Sequence, residues 1–186
     1  MDTVATEMIP IRLIICIVIT AAIVSVVGMG FHSLSIMVAE HQVEQECRIL
    51  ESTLITMVES GMARDVNAIH VAEGTKRVQT FTLPDSLIYL SFGGDPDPRN
   101  DGKWTSELTE DGAAIFYKVQ GGNKHIIWLP KDKFKFREGV YGDNKWTMNG
   151  EEQSFILNGG GKATVVFELV QKNHINYILI HANKNN

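Results

Sequence analysis

The sequence predicts an α+β chain: a long N-terminal membrane-spanning helix with an amphipathic stem, then a mainly antiparallel, sandwich-like β-sheet head. Three observations predict it. From Leu13 to Ala39 no Asp, Glu, Lys or Arg occurs. From Val43 to Met57 apolar residues recur at helical spacing. From Val78 onward, short apolar runs are punctuated by turn residues. The chain therefore divides into a short N-terminal segment (1–12), an apolar helix (13–39), a helical stem (40–61) and a β-rich domain (62–186).

The apolar stretch begins IRLIICIVITAAIVSVVGMGF, residues 11–31. About 20 apolar residues suffice for a helix to cross a hydrocarbon core about 30 Å thick, and this run exceeds that. A cleaved leader would have a basic start and an apolar run of about 7–15 residues. Here the start carries Asp2 and Glu7 against Arg12. A helix buried in a soluble domain keeps a polar stripe, yet between Leu13 and Val27 only Thr20 and Ser25 interrupt the apolar surface. The expectation is a retained, single-pass helix in the cell membrane. Arg12 flanks one end, and Glu40, Glu44 and Glu46 with Arg48 flank the other. The positive-inside rule then leans toward a cytoplasmic amino terminus and an extracellular carboxyl domain.

Beyond the span, Val43, Cys47, Leu50, Leu54 and Met57 form one stripe, and Gly61 is the expected stop. Such a stripe needs cover, from the chain's own β domain, from copies of itself, or from both. Gly28 and Gly30 would bend the helix or let another helix approach closely. Cys16 and Cys47 would lie roughly 46 Å apart along a continuous helix, too far for a disulfide within one chain. Cys47 is expected as a buried thiol.

Seven segments read as strands: RVQTFTL, SLIYLSF, AAIFYKV, KHIIWL, SFILN, ATVVFELV and NYILIHA. QGGN and QKNHI are expected hairpin turns, and NGGGK (158–162) a strand-connecting turn. TVVFELV and YILI lack alternation and should be central strands. The net charge of −5 argues against nucleic acid as a partner.

Two loops suggest chemistry. In GGDPDPRNDG (93–102), Asp95, Asp97, Asn100 and Asp101 gather hard oxygen ligands of the kind Ca²⁺ prefers. The favoured reading is a solvated acidic turn between strands, with Ca²⁺ binding as the alternative. In KDKFKFREG (131–139), Lys131, Lys133, Lys135 and Arg137 would share one strand face, with Phe134 and Phe136 on the other. That row would hold an anionic partner or guard an exposed sheet edge. His125, His174 and His181 are too scattered for a metal signature. Trp104, Trp128 and Trp146 are expected as core or domain-packing residues more than as a sugar-binding platform. No nucleophile elbow, phosphate loop or zinc-helix motif occurs, and the chain is not expected to be an enzyme or to carry a cofactor.

The segment TVATEMIP leading into an Ile/Val-rich helix, an amphipathic stem and a β-rich head resembles archaeal type IV pilin-like and archaellum-like surface subunits. That resemblance implies helices bundled into a filament or oligomer, through a homo-oligomer or other pilin-like subunits, with heads outward. It also implies that Glu7 pairs with a neighbouring subunit's amino terminus. The alternative is a monomeric membrane-anchored binding module for Ca²⁺ or a cell-surface glycan.

Overall fold

The computed structural model describes the backbone of residues 3–68, 73–142, 145–148 and 153–182, with side chains from residue 11 on except residue 32. It has the expected α+β architecture. Among the described residues one α-helix, α1 (Thr3–Ser60), precedes ten strands. The chain forms two compact units, Met1–Val38 and Ala39–Asn186.

In the first unit the helix is apolar on every side. Leu13, Ile14, Ile15, Ile17, Val18 and Ile19 span more than a full turn and all stand exposed. The hydroxyls interrupting this surface bond inward. Thr20 Oγ1 donates to the Cys16 carbonyl at 2.8 Å, Ser25 Oγ to Ala21 at 2.8 Å and Ser33 Oγ to Met29 at 3.2 Å. One helix is thus long and apolar enough to cross a membrane.

In the second unit the strands are β1 (Arg64–Asp65), β2 (Lys76–Leu83), β3 (Leu87–Phe92), β4 (Ala114–Val119), β5 (Lys124–Trp128), β6 (Lys135–Gly142), β7 (Lys145–Met148), β8 (Phe155–Asn158), β9 (Gly161–Lys172) and β10 (Ile175–Ala182). A six-stranded sheet runs β1-β9-β10-β6-β7, with β2 also paired to β9. A four-stranded sheet runs β5-β4-β3-β8. Most pairings are antiparallel, but β10 pairs β6 and β1 pairs β9 in parallel. All seven strand segments expected from the sequence form. The long apolar runs lie in β9 and β10, buried at the middle of the larger sheet. QKNHI makes the expected hairpin, with Asn173 and His174 both left-handed (φ 53° and 64°), the backbone of a tight two-residue turn.

The two sheets meet at Phe92 of β3. Its ring lies 5.5 Å from that of Phe136 in β6, 5.7 Å from Phe167 in β9 and 6.1 Å from Phe81 in β2. Against this core the stem part of α1 buries Val43, Cys47, Leu50, Leu54 and Met57 completely. Gln42 Nε2 donates to the Thr82 carbonyl at 2.8 Å, and the Asn123 amide donates to Glu40 Oε1 at 3.0 Å. The helix ends where the Gly61 amide donates to the Met57 carbonyl at 2.8 Å, and any Cβ at residue 61 would collide with that same carbonyl.

That packing selects among the covers that the sequence left open. The stripe is covered by its own β domain, so none of its five side chains remains for a second copy. Gly28 and Gly30 have open space around them. The side chain of Glu7 lies outside the described residues.

Candidate functional site

The acidic loop is built by backbone geometry and then closed by a lysine. Asp95 Oδ1 accepts the Asp97 amide at 3.0 Å, and Asp97 Oδ1 accepts the Asp101 amide at 2.9 Å. Asp101 Oδ1 accepts the Lys103 amide at 2.9 Å. These are turns in which a carboxylate caps an amide a few residues on. Asn100 takes the left-handed backbone (φ 54°) and accepts from Lys118 Nζ at 3.1 Å. Lys124 Nζ then reaches in from β5, 2.6 Å from Asp95 Oδ2 and 2.5 Å from the Asp97 carbonyl.

A cation already occupies the loop, and it is an ammonium. Ca²⁺ needs six to eight convergent oxygens. Here Asp95, Asp97 and Asn100 already accept from amides and lysines, and Asp101 accepts the Lys103 amide. Among the described residues no group of three or more His, Cys, Asp or Glu is disposed to hold a metal. The geometry fits the reading of an acidic turn between strands, closed here by a lysine.

That loop lies against the outer face of the smaller sheet. Its Trp104 sits edge-on to Tyr89, with ring centroids 5.7 Å apart. Burial, with Asp95 and Asp97 close by, pushes the Tyr89 phenol pKa up. On the same face Trp128 sits edge-on to Phe116 at 6.3 Å. Trp104 and Trp128 are thus outside the core, each exposed on one side and packed on the sheet on the other.

The row of four cations does not form. Strand β6 begins only at Lys135. Pro130 starts a turn closed by the Lys133 amide, leaving Lys131 and Lys133 outside the sheet. Lys133 pairs with Glu59 at 2.5 Å, Lys135 with Asp111 at 2.9 Å and Lys131 with Glu110 at 3.8 Å. Arg137 is buried. Its Nη1 donates to the carbonyls of Asp111 and Phe136 at 2.7 Å, and its guanidinium lies 5.0 Å over the Tyr177 ring. Each cation is matched separately, and β6 is no free edge because β10 pairs it. Phe134, just before the strand, and Phe136 within it are both buried in the core.

A second polar cluster was not visible in the sequence. Arg64 on β1 and Glu168 on β9 form a buried, two-pronged pair, Nε to Oε1 at 2.9 Å and Nη2 to Oε2 at 3.2 Å. Glu168 Oε1 also accepts the Gly74 amide at 3.1 Å, and Arg64 Nη2 donates to the Trp146 carbonyl at 2.9 Å. Trp146 stacks on His181 of β10, centroids 3.6 Å apart and planes 7° from parallel. Burial pushes the His181 pKa down, with Lys76 adding to it and Glu168 opposing. Beside this stack is a cleft of about 320 Å³, lined among others by Tyr141, Phe155 and Glu138. The His181 imidazole and the Glu138 carboxylate are groups lining the cleft that could move a proton.

Cys47 is inert by position. Burial first, then Glu46 and Glu44, pushes its thiol up to about 12. Neither cysteine is in a disulfide.

No family model, curated protein or solved structure matches the chain.

Proposed function

We propose that the chain is a membrane-anchored, pilin-like surface protein whose residues 13–39 lie in the lipid bilayer. Copies associate through that helix into a filament or oligomer, with the amino terminus cytoplasmic and the β-rich domain extracellular. One observation carries the reading: from Ile11 to Val38 every side of the helix exposes apolar side chains, while the hydroxyls of Thr20, Ser25 and Ser33 bond to carbonyls of their own helix. In water such a surface is costly at roughly 25 cal/mol per Å². A bilayer requires that combination of apolar exterior and internally satisfied polar groups.

Because the stem stripe is consumed by the β domain, association falls to the segment before Ala39. There Gly28 and Gly30 leave room for a neighbouring helix backbone. The test is carbonate extraction of membranes, then electron microscopy and mass measurement in mild detergent. The expected result is a chain that stays with the lipid and sediments as an oligomer or filament. Recovery of the intact chain in the aqueous fraction would remove the anchor, and a strict monomer in detergent would remove the assembly.

A second reading, an anchored monomer that binds cell-surface glycan, is favoured by the exposed Trp104 and Trp128 on one sheet face. Trp128→Ala would then abolish glycan-array binding while leaving the anchor intact.

A further inference from the structure

The β domain is bonded to the stem at both ends of the stem. At its start, Glu40 Oε1 accepts the Asn123 amide at 3.0 Å and lies 2.9 Å from His125 Nε2. The β4–β5 hairpin thus holds the first charged residue after the run from Leu13 to Ala39. Just beyond, Gln42 Nε2 donates to the Thr82 carbonyl at 2.8 Å, and the Thr82 amide donates to Glu46 Oε1 at 3.4 Å. At the far end Lys133 pairs with Glu59, and past the helix the Met62 amide donates to Thr75 Oγ1 at 2.8 Å. Glu40 and Glu59 stand about 28 Å apart along the helix, at about 1.5 Å per residue. The β domain therefore lies beside the stem, with one end fixed at Glu40 and the other at Glu59.

Three turns close the domain at the Glu40 end: residues 84–86, 120–123 and 158–162. The Gln120 amide donates to the Ser86 carbonyl at 2.7 Å, which joins the second turn to the first. The third fits against the first through a glycine, because a Cβ at residue 160 would collide with the Pro84 carbonyl. A Cβ at residue 122 would likewise run into the Glu40 carboxylate. The three turns carry one charge of each sign, Asp85 and Lys162, and are otherwise Pro, Ser, Gln, Asn and Gly. They form a surface of small polar residues around the point where the stem begins.

We infer that this surface rests on the phospholipid headgroup layer, so that the domain sits on the bilayer by its three turns. The inference depends on the anchored reading proposed above and adds which end of the domain meets the lipid. Residues 13–39 make about 40 Å of helix, and a bilayer with its headgroups is about 40–45 Å thick. Glu40 therefore emerges within the headgroup layer. Whatever tilt the domain takes, it pivots there, and the hairpin bonded to that carboxylate stays at the surface. With Glu40 already met by Asn123 and His125, the groups left to face lipid are small polar side chains, backbone and two opposite charges. That balance suits a zwitterionic headgroup, whose ammonium and phosphate offer partners to Asp85 and Lys162.

The test uses the full chain in phosphatidylcholine nanodiscs, some of whose lipids carry a nitroxide on the headgroup. In a Cys16→Ala background, a fluorophore is placed at Asp85→Cys, Gln120→Cys or Asp132→Cys. All three positions are exposed, and the remaining Cys47 is buried. Residues 85 and 120 belong to the three turns, while residue 132 adjoins Lys133 at the Glu59 end. The nitroxide lipid should quench emission strongly at residues 85 and 120 and little at 132. Iodide in the water should give the reverse order. Equal quenching at the three positions, or stronger lipid quenching at 132, overturns the inference. Carbonate extraction of membranes bearing the same variants separates the two possible failures. A chain that leaves the lipid removes the anchor and this contact with it. A chain that stays with the lipid while residues 85 and 120 remain bright removes the contact alone.

Discussion

Lys124 Nζ sits 2.6 Å from Asp95 Oδ2, and both side chains are largely shielded from solvent. The contact ties a loop of turns to an end strand, and it explains why an aspartate-rich segment needs no metal. Removing the ammonium leaves a shielded carboxylate and the Asp97 carbonyl without their donor. Lys124→Met should therefore cost about 1–3 kcal/mol in urea unfolding, the range for an unmet shielded polar group. Adding Asp95→Asn should restore part of the loss, since the two residues are directly coupled. Millimolar Ca²⁺ should leave the unfolding midpoint of the native chain unchanged. A clear rise with Ca²⁺ would reinstate the loop as a metal site.

The Arg64–Glu168 pair joins segments more than a hundred residues apart in the chain, and both side chains are almost wholly buried. It holds β1, Gly74 and the carbonyl of Trp146 to the outer face of β9. Breaking a buried pair from one side strands the other charge, typically a loss of about 3–5 kcal/mol. Glu168→Gln should show a loss of that order in urea unfolding. Arg64→Met with Glu168→Leu should be milder than either single change, because a matched apolar replacement leaves no stranded charge. Single changes that cost nothing would mean that the pair is only incidental.

Local signals were legible in the sequence and long-range ones were not. Runs such as ATVVFELV are strands whatever they pair with, and the stem stripe from Val43 to Met57 is helical by spacing alone. Both appear where expected. What the stripe packs against is a question of tertiary contact, so the choice between its own β domain and a second copy was open until the fold showed the β domain covering it. Strand β7, KWTM, has no apolar period to announce it. In KDKFKFREG the phenylalanine spacing was sound, but Pro130 delays the strand. Arg137 is buried because its face of the sheet is covered in turn, by Tyr177 among others. The acidic loop was misleading for a similar reason: its counter-ion comes from Lys124, on a different strand. Even within the loop the signal was ambiguous, since aspartates that cap amides look like aspartates that bind metal.

His181 gives the fold a defined response to acid. In the unfolded chain an imidazole takes up a proton near pH 6.5. In the folded protein burial, with Lys76 adding to it, holds the ring neutral to lower pH. Between those two values the unfolded state binds more protons, so stability falls as pH drops from about 6.5 through the folded value and then levels off. Glu73 and Asp111 also favour their charged forms, through lysine partners, but those contributions fade only below the ordinary carboxylate range. A window from about pH 7 to pH 5 therefore isolates histidine. His181→Phe keeps a flat ring to stack on Trp146 and removes the titration. Thermal unfolding across that window should show a steeper decline for the native chain than for His181→Phe. Parallel slopes would mean that the ring charges freely within the fold, and that its stack on Trp146 does not resist protonation.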